Sequence, residues 1–187
     1  MYMPAAKGFY TAEMVRSLNA SERRHWPRYE TVHGELLVSP APRWWHQEVV
    51  GGIYTALRAY LSPERLGRVV ISPADVTFGE ADTLVQPDIF VVPMEQSRMF
   101  DWRRIRHLLL AVEVLSPSSM RADHEVKRRF YQRQGVPLYW VVDAEARSVE
   151  IWTPEAREPR TERETLTWYP VGASEQFTLP LADLFQP

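Results

Sequence analysis

The chain contains no cysteine among its 187 residues, which excludes disulfide frameworks, thiolate nucleophiles, Cys-ligated zinc and iron–sulfur clusters. Uninterrupted apolar runs stop at about five residues, far short of the roughly 18 that span a bilayer. The N-terminus carries no basic-then-apolar signal pattern, so the expectation is a soluble, cytoplasmic protein with no membrane partner. Lysine is nearly absent: of 22 basic residues, only Lys7 and Lys127 are Lys. A lysine retained at an interior-looking position therefore asks for a reason. Charge of one sign is lacking too, the net being −2, so no global field draws the chain to nucleic acid.

What the chain does have is apolar and aromatic residues, 45% and 12% of the total, with seven Trp. This supports a real core and excludes general disorder. The length suits one domain, residues 1–187. Thr11 reads as the N-cap of a helix through Asn19, and a hairpin turns at His33-Gly34 between strands 28–33 and 35–39. Helical spacing runs from Arg43 to Leu61 and stops at Ser62-Pro63. Gly51-Gly52 inside it suggests close packing. Strands follow at 68–71, 74–78, 87–92 and 108–115, then a helix from about 120 to Gln134 closed by Gly135. A strand pair at 138–143 and 149–152 comes next, residues 154–165 read as an exposed loop, and residues 181–185 as a last helical turn. No assignment is made for 93–106. The order predicts a mixed α/β layer structure.

Glu113 is the most informative residue, because it interrupts the apolar run Leu108–Leu115. An isolated buried carboxylate is expensive, so it must be neutralised, paired or bound to metal. Asp88 follows Pro87 at the head of Ile89-Phe90-Val91-Val92, and two carboxylates on neighbouring strands make a site for a hard divalent cation. The plain alternatives are a structural Arg partner for Glu113 and an ordinary turn at Pro87-Asp88. On the following helix, Asp123, Val126, Lys127 and Phe130 share an arc of about 100° facing the sheet. Lys127 is then either a cation placed over the metal site or half of an i,i+4 pair with Asp123. His46 has metal, phosphate and helix-capping roles open to it. Gln86 and Asp75 are candidate supports for the ligands. The Arg pair 128–129 offers contacts to phosphates.

These residues occur in an order that resembles a known family. Gly34-Glu35-Leu36, His46 after Ser39-Pro40-Ala41-Pro42, Pro87-Asp88-Ile89, Glu113-Val114-Leu115-Ser116-Pro117-Ser118, Asp123, Lys127, Tyr131 and residues 135–143 follow one another. Over residues 11–153 the chain is similar to the large bacterial family of restriction endonucleases within the PD-(D/E)XK nuclease superfamily. The resemblance implies a restriction-endonuclease-like mixed sheet flanked by helices. It also implies Mg²⁺ (or Mn²⁺) held by Asp88, Glu113 and Glu35, with DNA as substrate. The catalytic set it implies is Asp88, Glu113, Lys127 and Glu35, with His46, Gln86 and Asp123 around them. Leu115 stands where the motif carries its Lys, so Lys127 is the displaced replacement, and His33 stands where Asp is expected. Many such nucleases dimerise to reach both strands, which makes a homodimer an open expectation. The alternatives are a catalytically decayed nuclease-fold module that binds nucleic acid or protein, and a metal-dependent hydrolase of small phosphoesters.

Overall fold

The computed structural model describes residues 8–22, 26–98 and 101–186; Lys7 lies outside them. Thr11 caps α1 (Ala12–Ser21), its hydroxyl accepting from the Met14 N–H at 3.2 Å. The hairpin β1 (Arg28–Val32) and β2 (Glu35–Ser39) turns through two residues with positive φ, His33 and Gly34. α2 (Trp44–Glu64) continues three residues past the expected stop. Pro63 sits in its last turn, where it removes one hydrogen bond and breaks nothing downstream. Gly52 has a packing reason: a Cβ there would come within 2.9 Å of Leu184.

A six-stranded mixed sheet is the centre of the molecule. Its order is β3 (Arg68–Ile71), β4 (Ile89–Val92), β5 (Leu110–Val114), β6 (Tyr139–Asp143), β7 (Ser148–Trp152) and β8 (Arg160–Glu162). Only β5 and β6 run parallel, as their connection through a helix requires. One face packs on α2: Val91, Val112, Trp140 and Val142 meet Val49, Ile53 and Leu57, all buried. The other face presents Phe90, Ala111, Tyr139 and Val141 to Phe130 and Tyr131. Strand alternation therefore assigns Glu113, between Val112 and Val114, to this second face.

Two expectations need correction. Residues 74–78 form no strand; Val76 makes a single bridge to Val85, because positive φ at Phe78 and Gly79 ends the extended run. The expected loop at 154–165 contains β8, a three-residue edge strand, and leads into a separate antiparallel pair, β9 (Thr165–Trp168) and β10 (Phe177–Pro180). Leu166, Trp168 and Phe177 from that pair cap the α2 core, with α5 (Leu181–Leu184) closing behind them. The connection 93–106 holds α3 (Met94–Ser97) and a 3₁₀ turn at Trp102–Arg104.

The helix after β5 is also not uniform. Residues Ala122–Lys127 form a π-turn, with the Arg128 N–H reaching back five residues to the Asp123 carbonyl, before α4 (Arg128–Arg133) resumes α geometry. π-turns of this kind concentrate at functional sites. Asp123, Lys127, Phe130 and Tyr131 are all buried, on the arc that helical periodicity assigns them.

Candidate active site

The ends of β4 and β5, the strand β1 and the π-turn converge on a cavity of about 780 Å³. Asp88 precedes β4 and is 5% exposed. Its Oδ2 accepts the Val114 N–H at 2.9 Å and lies 3.2 Å from His46 Nε2, while Oδ1 lies 3.5 Å from the Arg28 guanidinium. The first turn of α2 delivers His46, and the alternation of β1 delivers Arg28 and Glu30 to one side of the strand. Burial alone would push the Asp88 carboxyl up. The His46 hydrogen bond, the Arg28 charge and the Val114 N–H together outweigh it and bring the pKa down to about 2.

Lys127 lies at the centre and is 2% exposed. Its Nζ is 3.0 Å from Glu113 Oε1, 3.0 Å from Glu30 Oε2 and 3.5 Å from Asp123 Oδ1. The contact with Glu113 is a hydrogen bond; Glu30 Oε2 and Asp123 Oδ1 accept no aligned hydrogen and are held as charges only. Glu30 Oε1 accepts the Gln86 N–H at 2.7 Å. Tyr131 donates a second bond to Glu113 Oε1 at 3.4 Å, and Tyr139 donates to the Asp123 carbonyl at 3.0 Å. Burial would lower the Lys127 pKa, but Glu113, Glu30 and Asp123 hold it well above the ordinary lysine range.

Charge does not balance here. Glu30, Asp88, Glu113 and Asp123 face Arg28 and Lys127, leaving two negative charges in excess when all are ionised and His46 is neutral. Burial, with the neighbouring carboxylates, accordingly raises Glu113 well above the usual carboxylate range, and Asp123 is raised by burial as well. A hard divalent cation would supply the missing charge. The donor set fits one: Asp88 and Glu113 both line the cavity from adjacent strands. Among the described residues, the grouping of three ligand atoms within 4.8 Å is instead His33, Glu80 and Asp82, none of which lines this cavity. The cavity carboxylates stand wider apart because Lys127 lies between three of them.

Asp88, Glu113, Lys127, His46, Gln86 and Asp123 are thus brought to one cavity. Glu35 is not. It is the exposed first residue of β2, beside the turn, and does not line the cavity. The carboxylate on the hairpin that does reach Lys127 is Glu30, one strand earlier, together with Arg28. Both were missed by the sequence reading, because charges at i,i+2 on a short strand read as the solvated side of a hairpin. Gln86 is buried, donating from Nε2 to Asp75 Oδ1 at 2.7 Å. Arg128 is not a free phosphate contact: its guanidinium lies 4.5 Å over the Trp152 ring and bonds the His124 carbonyl.

Comparison with known proteins bears on the family and the fold. The model of the Uma2 family, described as "Putative restriction endonuclease", matches residues 13–182. Among solved structures, a putative nuclease belonging to DUF820 from Anabaena variabilis ATCC 29413 is similar in fold. It has a TM-score of 0.74 and 22% identity, covering 94% of this chain and 97% of that one. No curated protein matches the chain.

Proposed function

Since the chain belongs to the Uma2 family of restriction-endonuclease-like proteins, we propose that it is a metal-dependent endonuclease hydrolysing DNA phosphodiester bonds. The whole of residues 1–187 would act as one nuclease unit in the cytoplasm. No helix among the described residues is long and apolar enough to cross a membrane. The observation that carries the reading is the buried Lys127 ammonium held between Glu30 and Glu113 on the wall of a cavity that Asp88 also lines.

Asp88 and Glu113 would hold Mg²⁺ or Mn²⁺, with Glu30 in the supporting place expected of Glu35. A cation bound there supplies charge for the attacked phosphate and an acidified water. The chain's own residues do the positioning. The Val114 N–H and His46 fix the Asp88 carboxylate, and Tyr131 and Lys127 fix one oxygen of Glu113, leaving the other for the cavity. Lys127 places a compact positive charge beside the phosphate as negative charge develops on it. In the overall reaction one water adds to phosphorus and one P–O bond breaks. The products are a phosphomonoester and a hydroxyl, the water proton passing to the leaving oxygen.

Circular DNA, as single strand or as plasmid, should be cleaved by the protein in Mg²⁺ or Mn²⁺ and left intact in EDTA, and Asp88→Asn should abolish cleavage. The same variant should lose the metal-induced rise in Tm, which for a site at 100 times its Kd corresponds to about 2.7 kcal/mol. Cleavage unchanged in Asp88→Asn would refute the assignment. One observation favours a second reading, a nuclease-fold binding module without catalysis: Leu115 occupies the motif's lysine position. That module would bind DNA and cut none of it.

A further inference from the structure

The proposed chemistry lies at the bottom of a concavity, and this limits the DNA that can reach it. Asp88 and Glu113 are 5% and 1% exposed, so a scissile phosphate must enter the cavity rather than touch its mouth. A volume of about 780 Å³ is in the size class of pockets for small molecules, roughly 300–1,000 Å³. In a duplex each phosphate is flanked by paired, stacked neighbours and cannot leave the helix alone. A strand without a partner can be drawn in one nucleotide at a time.

The lining points the same way. Trp26 and Trp45 contribute aromatic surface, and Pro40, Pro42 and Pro73 add rigid apolar wall. Fixed positive charge is scarce. Arg28 and Lys127 are committed to carboxylates, which leaves Arg43, exposed at the start of α2, as the lining arginine with no carboxylate partner among the described residues. Duplex binding draws nearly all its non-specific affinity from neutralised phosphates, whereas a single strand adds base stacking to a weaker backbone contribution. Aromatic platforms suit unstacked bases of any sequence. Trp44 is a built-in control: it is 81% exposed, adjacent to Trp45, and does not line the cavity.

We propose that this cavity selects an unpaired DNA strand, stacking a base on Trp45 while the adjoining phosphate lies over Asp88 and Glu113. The inference rests on the nuclease reading and narrows its substrate to single strands, overhangs and flaps. It is tested with the full chain in Ca²⁺, which blocks cleavage, titrating a mixed-sequence 20-nucleotide strand and the same sequence as a blunt duplex.

The single strand should bind at least about tenfold more tightly and quench tryptophan fluorescence. Trp45→Leu should weaken single-strand binding by about fivefold or more, the scale of one lost base stack. Trp45→Phe should keep most of the affinity, Trp44→Leu should bind as the wild type does, and melting curves should show each variant folded. Equal or tighter binding of the blunt duplex overturns the proposal, as does unchanged binding in a folded Trp45→Leu. Cleavage in Mg²⁺ of a circular single strand beside a plasmid keeps the two ideas apart. Asp88-dependent cutting with duplex preference defeats the strand selection and leaves the nuclease standing, whereas strand-selective binding with no cutting does the reverse.

Discussion

The two faces of the central sheet are built on opposite rules. On the α2 face every inward position is apolar, from Ile53 and Leu57 on the helix to Val112 and Val142 on the strands. On the π-turn face, Phe90, Ala111 and Val141 share their layer with Glu113, Asp123 and Lys127, all buried. Removing apolar surface from water stabilises the first face in any ionic condition. The second depends on mutual compensation among charges, whose loss is punished because water cannot replace the missing partner. The fold thus assigns stability to one side of a single sheet and chemistry to the other. The strands β4 and β5 carry both through their alternation.

Breaking the charged face at its centre should have the largest effect. Lys127→Met keeps the aliphatic stem and leaves three buried carboxylates without their cation, a loss of about 3–5 kcal/mol on the scale of a broken buried pair. The loss should depend on pH in a definite direction. Glu113 and Asp123 already titrate above their ordinary values, and removing Lys127 raises them further. A carboxylate whose folded pKa is raised contributes stability that is fully present below its unfolded pKa and lost as pH rises through the folded one. Urea unfolding should therefore show a larger deficit at pH 8 than at pH 5. Asp88, held near pKa 2, stays ionised throughout that window and does not contribute. Equal deficits at the two pH values would mean that the lysine acts through packing alone. In the folded fraction, metal binding should persist and cleavage should fall by about 100-fold or more.

The apolar face predicts a contrasting result. Ile53→Ala should cost about 2–5 kcal/mol through lost burial and the cavity left behind. This deficit should be the same at pH 5 and pH 8, with cleavage per folded molecule unchanged. A pH-dependent deficit for Ile53→Ala would erase the distinction between the faces.

The smallest effect belongs to Glu35. Because it is exposed and outside the cavity, Glu35→Gln should change stability by no more than about 0.5 kcal/mol and leave cleavage as it was. Glu30→Gln, at the position that does reach Lys127, should depress cleavage. An inactive Glu35→Gln with an active Glu30→Gln would restore the expectation drawn from the resemblance.

The residues legible in the sequence were those that violate their surroundings. Glu113 stands in an apolar run, Lys127 lies on an apolar helix arc, and Asp88 opens an apolar strand, so each carries a local signal of burial. Glu30 carries almost none. In Arg28-Tyr29-Glu30-Thr31-Val32 a charge every second residue reads as the wet side of an ordinary hairpin, and only the contacts of the hairpin with 84–86 bury it. The same holds for fold. Helices with a repeating apolar face, such as α2, were placed within a few residues. β8 was hidden because an edge strand has few buried positions to mark it, as its exposed Arg160 and Thr161 illustrate. The π-turn left no trace in composition, since widening a turn changes hydrogen-bond spacing and not residue type.

That turn also bears on how the site can change through mutation. A π-turn holds one residue more than an α-turn, so the wide hydrogen bond from the Arg128 N–H to the Asp123 carbonyl, formed over the Asp123 and Lys127 pair, corresponds to the length of a single codon. Point substitutions can remove either side chain but cannot rotate the segment. Deleting one residue between Arg121 and Glu125 would turn everything before the deletion by about 100° relative to α4. It would also give the Asp123 carbonyl, now shared between Arg128 and Tyr139, a different set of donors.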